Sequence, residues 1–267
     1  MSIITKKHGT LEYLVAEGIS TPHCFTTRLG GVSTGIFDSL NLSLSRGDDP
    51  ANVVENYRRI GAILGFTPED VVNARQIHSD TVVKVGRQNC NNLTVAGASP
   101  VCDALITNEP GVTLFVSTAD CTPILLWDSV TGAVGAVHAG WRGTAQDIAG
   151  KAVAAMVAEF GCVPENLHAA IGPNIGACCF ETGEEVPQAI ISTFGPDADD
   201  CIMRYDDRHH VNLKKVNALA LNRAGVRHIE ISNDCTMCQP DRFWSHRHTK
   251  GARGAQGGII VCKEVQP

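Results

Sequence analysis

The chain has 267 residues, 43% hydrophobic and 19% charged, the balance of an ordinary globular protein with room for a sizeable core. Its 28 acidic against 22 basic side chains leave a formal net charge of −6 and no basic block, which argues against nucleic acid or an anionic membrane as the main partner. No apolar run approaches the length of a membrane helix, and the opening MSIITKKHGTLEYL lacks the apolar core of a signal peptide, so a cytoplasmic setting is expected.

Residues 11–27 read as a hairpin, LEYLVAEG turning at Gly18 and returning through HCFTT. The stretch TTRLGGVSTGIFDSLNLSLSRGDDP is full of Gly, Ser, Asp and Asn and cannot form a regular element. A loop that long in a compact domain is functional or disordered, and Arg28, Asn41 and Ser43 in it could bind a polar ligand or simply be solvated. Asp49-Pro50 then opens a helix, with Asp as cap and Pro at the first position. Val53, Tyr57, Ile60 and Leu64 form one buried stripe along it, and Gly65 closes it. Asn56, Arg58 and Arg59 fall off that stripe. The adjacent arginines either clamp a phosphate or carboxylate, or form a solvated helix face.

After a turn at Thr67-Pro68, VVNARQ leads to His78, TVVKV (81–85) reads as a strand, and a loop is expected over 87–100. Cys102 to Thr107 is a strand with one acid, Asp103, near its start. From Val112 to Thr144 come three apolar strands, VTLFVS, PILLW and AVGAV, of the kind buried on both faces. A helix is expected at about 145–160 with Ile148, Val153, Met156, Val157 and Phe160 on its apolar side. A turn and strand at 164–171, helices at 183–195 and 211–224, and strands at 228–232 (HIEIS) and in GGIIVC complete the pattern. With no repeats, low-complexity tracts or linker, residues 1–267 are read as one domain.

The central strands end on residues unsuited to a core: Ala119-Asp120-Cys121 after the first, and His138 to Gly143 after the third. Reactive side chains where buried strands emerge are a way for a rigid sheet to present a site. With His78 upstream, Cys121 and His138 make either a catalytic zinc site with one open position or a Cys–His nucleophile pair. The plain alternative is an inert buried cysteine and two histidines satisfied in loops. The other cysteines, of eleven in all, are expected to be mostly buried thiols in a reducing compartment, not a disulfide framework. Cys235-Thr-Met-Cys238 with His246 and His248 resembles a structural zinc set, but His-x-His is too close for the usual spacing. Replacing that cysteine pair is therefore expected to leave zinc content unchanged.

The segments TRLGGVS, SLNLS, GDDP, QIHSD, DALIT, STADCTPILL, AVHAGWRGT, AAIGPNIGACCFE and RFWSHR, spread from 27 to 247, resemble the laccase-domain family. Its members are known as multicopper polyphenol oxidases, peptidoglycan-editing factors and purine nucleoside phosphorylases. The resemblance implies an α/β (α+β) layered sandwich, with two mixed sheets between helices, related to bacterial toxins of the cytotoxic necrotising factor type that use a Cys–His pair for deamidation. It implies zinc ligands at His78, Cys121 and His138, and phosphorolysis of purine nucleosides together with adenosine deamination. Three departures concern the anion side. Tyr57 follows Asn56 where the family has Arg, so a phosphate role falls to Arg58 or Arg59. Gly254-Ala255-Gln256-Gly257-Gly258 lacks the family's arginine at the second position, and His246-Arg247-His248 stands for Tyr-Arg-Arg.

Three enzyme readings follow. In the first, a zinc enzyme acts on purine nucleosides: Arg58, Arg59 or Arg142 holds phosphate, Asn41 contributes to binding, and Asp103 protonates or orients the purine. The usual zinc deaminase signature, H-x-E with P-C-x-x-C, is absent, so this would be an unrelated solution. The second is copper oxidation of phenols; 10 histidines and a single His-x-His make a poor multicopper set, although copper can occupy a His₂Cys site in vitro. The third is a metal-free hydrolase or amidase editing peptidoglycan precursors with Cys121 as nucleophile and His138 as base. A homodimeric scaffold without turnover is the non-enzyme alternative. The expected partners of the first reading are small molecules, a purine nucleoside and phosphate.

Overall fold

The computed structural model describes residues 2–90, 93, 99–206 and 208–264. Of the loop expected over 87–100, residues 91, 92 and 94–98 lie outside the described residues. Two six-stranded mixed sheets form the framework. The first runs β1 (Ile3–His8), β2 (Leu11–Ala16), β3 (His23–Thr26), β15 (Gln256–Val261), β7 (Thr113–Thr118), β4 (Val71–Asn73). It is antiparallel except for the β4–β7 pair. The second runs β14 (His228–Ile231), β10 (Leu167–Ile171), β8 (Thr122–Asp128), β9 (Val134–Ala139), β6 (Ala104–Thr107), β5 (Val82–Lys84), with parallel pairs only at its two edges. A small sheet of β11 (Glu181–Thr182), β13 (His209–Val211) and β12 (Ile202–Arg204) lies apart.

The apolar residues sort these sheets into layers. Leu14, Phe25, Val72, Leu114 and Ile260 of the first sheet pack against Leu105, Leu125, Val134 and Ala170 of the second. The second sheet's other face, through Ile106, Ile124 and Val137, carries α3 (Ile148–Phe160), α4 (Glu185–Phe194) and α5 (Leu213–Arg223). The first sheet's other face, through Cys24, Phe115 and Ile259, carries α1 (Pro50–Leu64). The result is helix, sheet, sheet, helix, the sandwich that the resemblance implies. Among the described residues no helix is long and apolar enough to cross a membrane.

Helix α1 forms as its sequence dictates: the Asp49 carboxylate accepts from Ala51 N–H, Pro50 sits in the first turn, and Gly65 ends it with φ 76°. Val53, Tyr57, Ile60 and Leu64 are buried. Asn56, expected off the stripe, is fully buried too, because its amide ties down the long loop through Val32 N–H, Ser33 Oγ and the Asn41 carbonyl. The expected helix over 145–160 is two pieces, α2 (Trp141–Ala145) and α3. The chain breaks at Asp147, whose φ of 59° starts a new turn and whose side chain caps Gly150 N–H. Ile148, Val153 and Met156 face the core as expected, but Val157 is 38% exposed. Strand β1 was not readable: it is a mostly exposed edge strand carrying Lys6, Lys7 and His8, so no alternation marks it.

The three central strands lie where expected, but not in one sheet. β7 belongs to the first, β8 and β9 to the second. The chain changes sheet at Ala119-Asp120-Cys121, and the candidate side chain of Cys121 is thereby held where the two sheets meet.

Candidate metal centre and substrate cleft

Cys121 leaves the crossover just before β8, and His138 is the penultimate residue of β9. β8 and β9 pair antiparallel with Thr122 opposite Ala139, so register alone makes the two side chains neighbours. His78 arrives from the loop after β4 with φ 60°, a left-handed conformation that only a local restraint holds in a non-glycine residue. That restraint is Asp103. Its Oδ1 accepts from His78 N–H (3.0 Å) and from His138 Nδ1 (2.8 Å). Its Oδ2 accepts from Ile77 N–H (3.2 Å), Ser79 N–H (2.7 Å) and Ser79 Oγ (2.7 Å). One buried carboxylate therefore fixes the backbone of one histidine and the ring of the other.

The donor atoms of His78, Cys121 and His138 lie within 4.8 Å of one another. Cys121 Sγ is 3.9 Å from His78 Nε2, and the two imidazoles meet edge to face at 4.9 Å. Gly140 is required here: a Cβ on it would stand 2.8 Å from His78 Cδ2 and 3.4 Å from Cys121 Sγ. The donor set fits a metal. It pairs one thiolate with two imidazoles, and His138 donates its other ring N–H to a carboxylate, the usual support of a ligating histidine.

Without a metal the same groups form an ion pair. Burial would push the Cys121 thiol up, but the adjacent imidazolium of His138 and hydrogen bonds from both histidines bring it down to about 6. Burial would lower His138, but the thiolate and the Asp103 carboxylate raise it to about 9. Asp103 is pushed up by burial, then held far below the usual carboxylate range by His138 and Ser79.

The three residues line a cleft of about 800 Å³. Ser43, Ser45, Arg46, Arg75, Phe115 and Arg253 also line it. Arg253 is 8% exposed, donates from one terminal nitrogen to the Gly254 carbonyl, and keeps its Nε buried without a partner. Burial and the neighbouring Arg46 lower it to about 10. Two guanidiniums lining one cavity and raising each other's charging cost are chemically suited to an anion.

Several expected binding residues lie elsewhere. Arg58 and Arg59 do not line the cleft; both donate to Glu55 on α1, and Arg59 also to the Gly30 carbonyl. Arg142 is exposed and stacks on Trp141 at 4.3 Å. Asn41 is buried within its loop, donating to Asp48 and accepting from Ser43 and Ala255 N–H groups. Asp103 cannot meet a purine, because its two oxygens are enclosed by five donors behind His138. Arg28 donates to the carbonyls of Asp38 and Pro240 and lies over Trp244. Of the loop residues proposed for ligand contact, Ser43 does line the cleft.

Arg46 and Arg253 were missed. Neither stands in a motif, although Arg253 lies two residues before Ala255, where the resembling family carries its arginine.

A family model described as multi-copper polyphenol oxidoreductase laccase matches residues 22–263. The chain belongs to this laccase family. Relatives include a purine nucleoside phosphorylase of Deinococcus radiodurans, 38% identical over 250 residues, covering 94% of this chain and 92% of that one. The purine nucleoside phosphorylase YlmD of Geobacillus stearothermophilus is 38% identical over 244 residues, covering 90% and 89%. Among solved structures, that of YlmD from Geobacillus stearothermophilus superposes with a TM-score of 0.91 at 34% identity, covering 98% of this chain and all of the other. The Bacillus licheniformis hypothetical protein YfiH gives 0.91 at 31% identity, covering 97% and 99%. Both solved structures thus share the fold of this chain over nearly its whole length.

Proposed function

We propose that residues 1–267 act as one zinc-dependent enzyme on purine nucleosides, carrying out phosphorolysis of inosine- and adenosine-type substrates and deamination of adenosine. The observation that carries the reading is the presence, around one cleft, of a His₂Cys donor set and two arginines, Arg46 and Arg253. The names of the relatives support the substrate class.

When bound by His78, Cys121 and His138, the metal would supply a Lewis acid with an open position and lower the pKa of water there. Asp103 keeps the Nδ1–H of His138 fixed and leaves Nε2 to face the site. Arg46 and Arg253 hold phosphate; as a dianion it relieves their mutual repulsion, and their guanidiniums offer paired N–H donors. Ser43 and Ser45, 3.3 Å apart at Oγ, offer hydroxyls to a sugar. Phosphate is the nucleophile of phosphorolysis and water that of deamination, so the arginines serve the first reaction alone.

The test is product analysis with adenosine and inosine, with and without phosphate. Free base and ribose 1-phosphate should form only when phosphate is present, whereas adenosine should become inosine without it. Arg253→Ala should cut phosphorolysis by about 10²-fold, the loss expected of a charged hydrogen-bonding partner to an anion, and spare deamination. Arg58→Ala should leave both rates unchanged. If neither nucleoside turns over, the purine reading fails.

The thiolate–imidazolium pair favours one rival, a metal-free Cys–His hydrolase. In metal-stripped protein Cys121 should alkylate with a midpoint near pH 6, because the thiolate, the reactive form, is present above that value and protonated below it. A peptidoglycan precursor cleaved by such protein, at the same midpoint, would move the assignment to the hydrolase.

A further inference from the structure

The cysteine pair set aside at the level of sequence has other company than its two histidines. His246 and His248 are exposed on α6 (His246–Thr249). Cys235 and Cys238 instead meet Cys178 and Cys179, and the four Sγ atoms lie within 4.8 Å of one another. Cys178 and Cys179 are 3.6 and 3.3 Å from Cys238. Four sulphurs about 2.3 Å from a tetrahedral zinc stand about 3.8 Å apart, so the cluster is near that size already. We propose that Cys178, Cys179, Cys235 and Cys238 form a second, structural zinc site.

The surroundings are built for thiolates. Gly176 lets two loops close on the cluster: a Cβ there would stand 3.2 Å from both Cys178 Sγ and Cys235 Cβ. Its N–H donates to Cys235 Sγ at 3.1 Å, and its carbonyl accepts from Cys179 and Phe180 N–H, which turns the adjacent cysteines inward. The buried Lys214 ammonium, held by the Ser232 and Asp234 carbonyls, places a positive charge beside a centre that would carry two negative ones. Binding releases four thiol protons and forms four Zn–S bonds, with no change of oxidation state.

The site would staple the crossover that carries Cys121. Both of its loops grip Asp120: Thr236 Oγ1 donates to Asp120 Oδ1 at 2.6 Å, and Ile175 N–H donates to the Asp120 carbonyl at 3.0 Å. Thr236 N–H also joins the two loops through the Asn174 carbonyl. Asp120 itself has φ 84°, a conformation that such a clamp has to maintain.

The full chain, purified without chelator, should carry about two zinc ions. Cys235→Ser should lose one and Cys121→Ser the other, so loss of the second site and failure of the catalytic reading give different patterns. A lone zinc that survives Cys121→Ser but not Cys235→Ser upholds this proposal and sinks the catalytic one. Because Cys235→Ser could misfold, wild-type protein gives an independent reading. Cys178, Cys179 and Cys238 should resist alkylation until a chelator is added, whereas the half-buried Cys90 reacts regardless. Free alkylation of the four in untreated protein, a disulfide among them by mass spectrometry, or iron in place of zinc would each overturn the proposal.

Discussion

Replacing Cys121 by Ser is expected to empty the metal centre of the cleft and to abolish turnover of both nucleosides. The loss should be at least about 10³-fold in kcat/KM, since a Lewis acid worth several kcal/mol is removed and each 1.36 kcal/mol is a factor of ten. A hydroxyl is a poor substitute for a thiolate donor, and Ser also removes the partner that raises His138. His138→Ala should do the same. Elemental analysis beside steady-state kinetics checks this. A Cys121→Ser protein that keeps its full metal complement yet loses activity would make Cys121 a nucleophile instead.

Asp103→Asn should weaken zinc binding by about 10- to 100-fold, the usual effect of removing a carboxylate behind a ligating histidine. The amide keeps the volume but offers one acceptor where five donors need two. Its NH₂ must face N–H groups of Ile77, His78 or Ser79, or the ring of His138. Metal-free protein should also lose about 3 kcal/mol, as when one partner of a buried pair is removed. The carboxylate is held below its ordinary value, so its contribution is whole at neutral pH and disappears only as pH falls through that depressed value. Melting curves of wild type and variant should therefore converge only in strong acid. Unchanged zinc affinity in a competition titration would sink the assignment.

The central strands β7, β8 and β9 are clear in the sequence because they are buried on both faces and so read as nearly unbroken apolar runs. Cys121 and His138 were legible for the same reason, as the first polar interruptions of those runs. Asp103 was legible as a residue but not in its role. It looked like an acid at a strand start, and only the pairing of Ala104 with Val137 brings it beside His138. Arg46 and Arg253 reach one cleft from distant parts of the sequence, and the two cysteine pairs meet across the fold. Such meetings depend on which strands are neighbours, and no local spacing records that. Arg58 and Arg59 misled because adjacent arginines look like a clamp until Glu55, three and four residues before them, is seen to occupy both.

The position of β15 has a consequence for how the chain is made. Among the described residues the strand latest in the sequence is not at an edge but in the middle of the first sheet, between β3 and β7. Until residues 256–261 emerge, β3 and β7 have open backbone edges facing an unfilled slot, and the inner core lacks Ile260. Vectorial folding during translation can complete the second sheet, whose strands all lie within residues 82–231, but not the first. A nascent chain lacking residues 256–261 would therefore stay half closed, with exposed strand edges. A truncation before Gln256 would leave a species prone to edge-to-edge aggregation instead of a smaller folded protein.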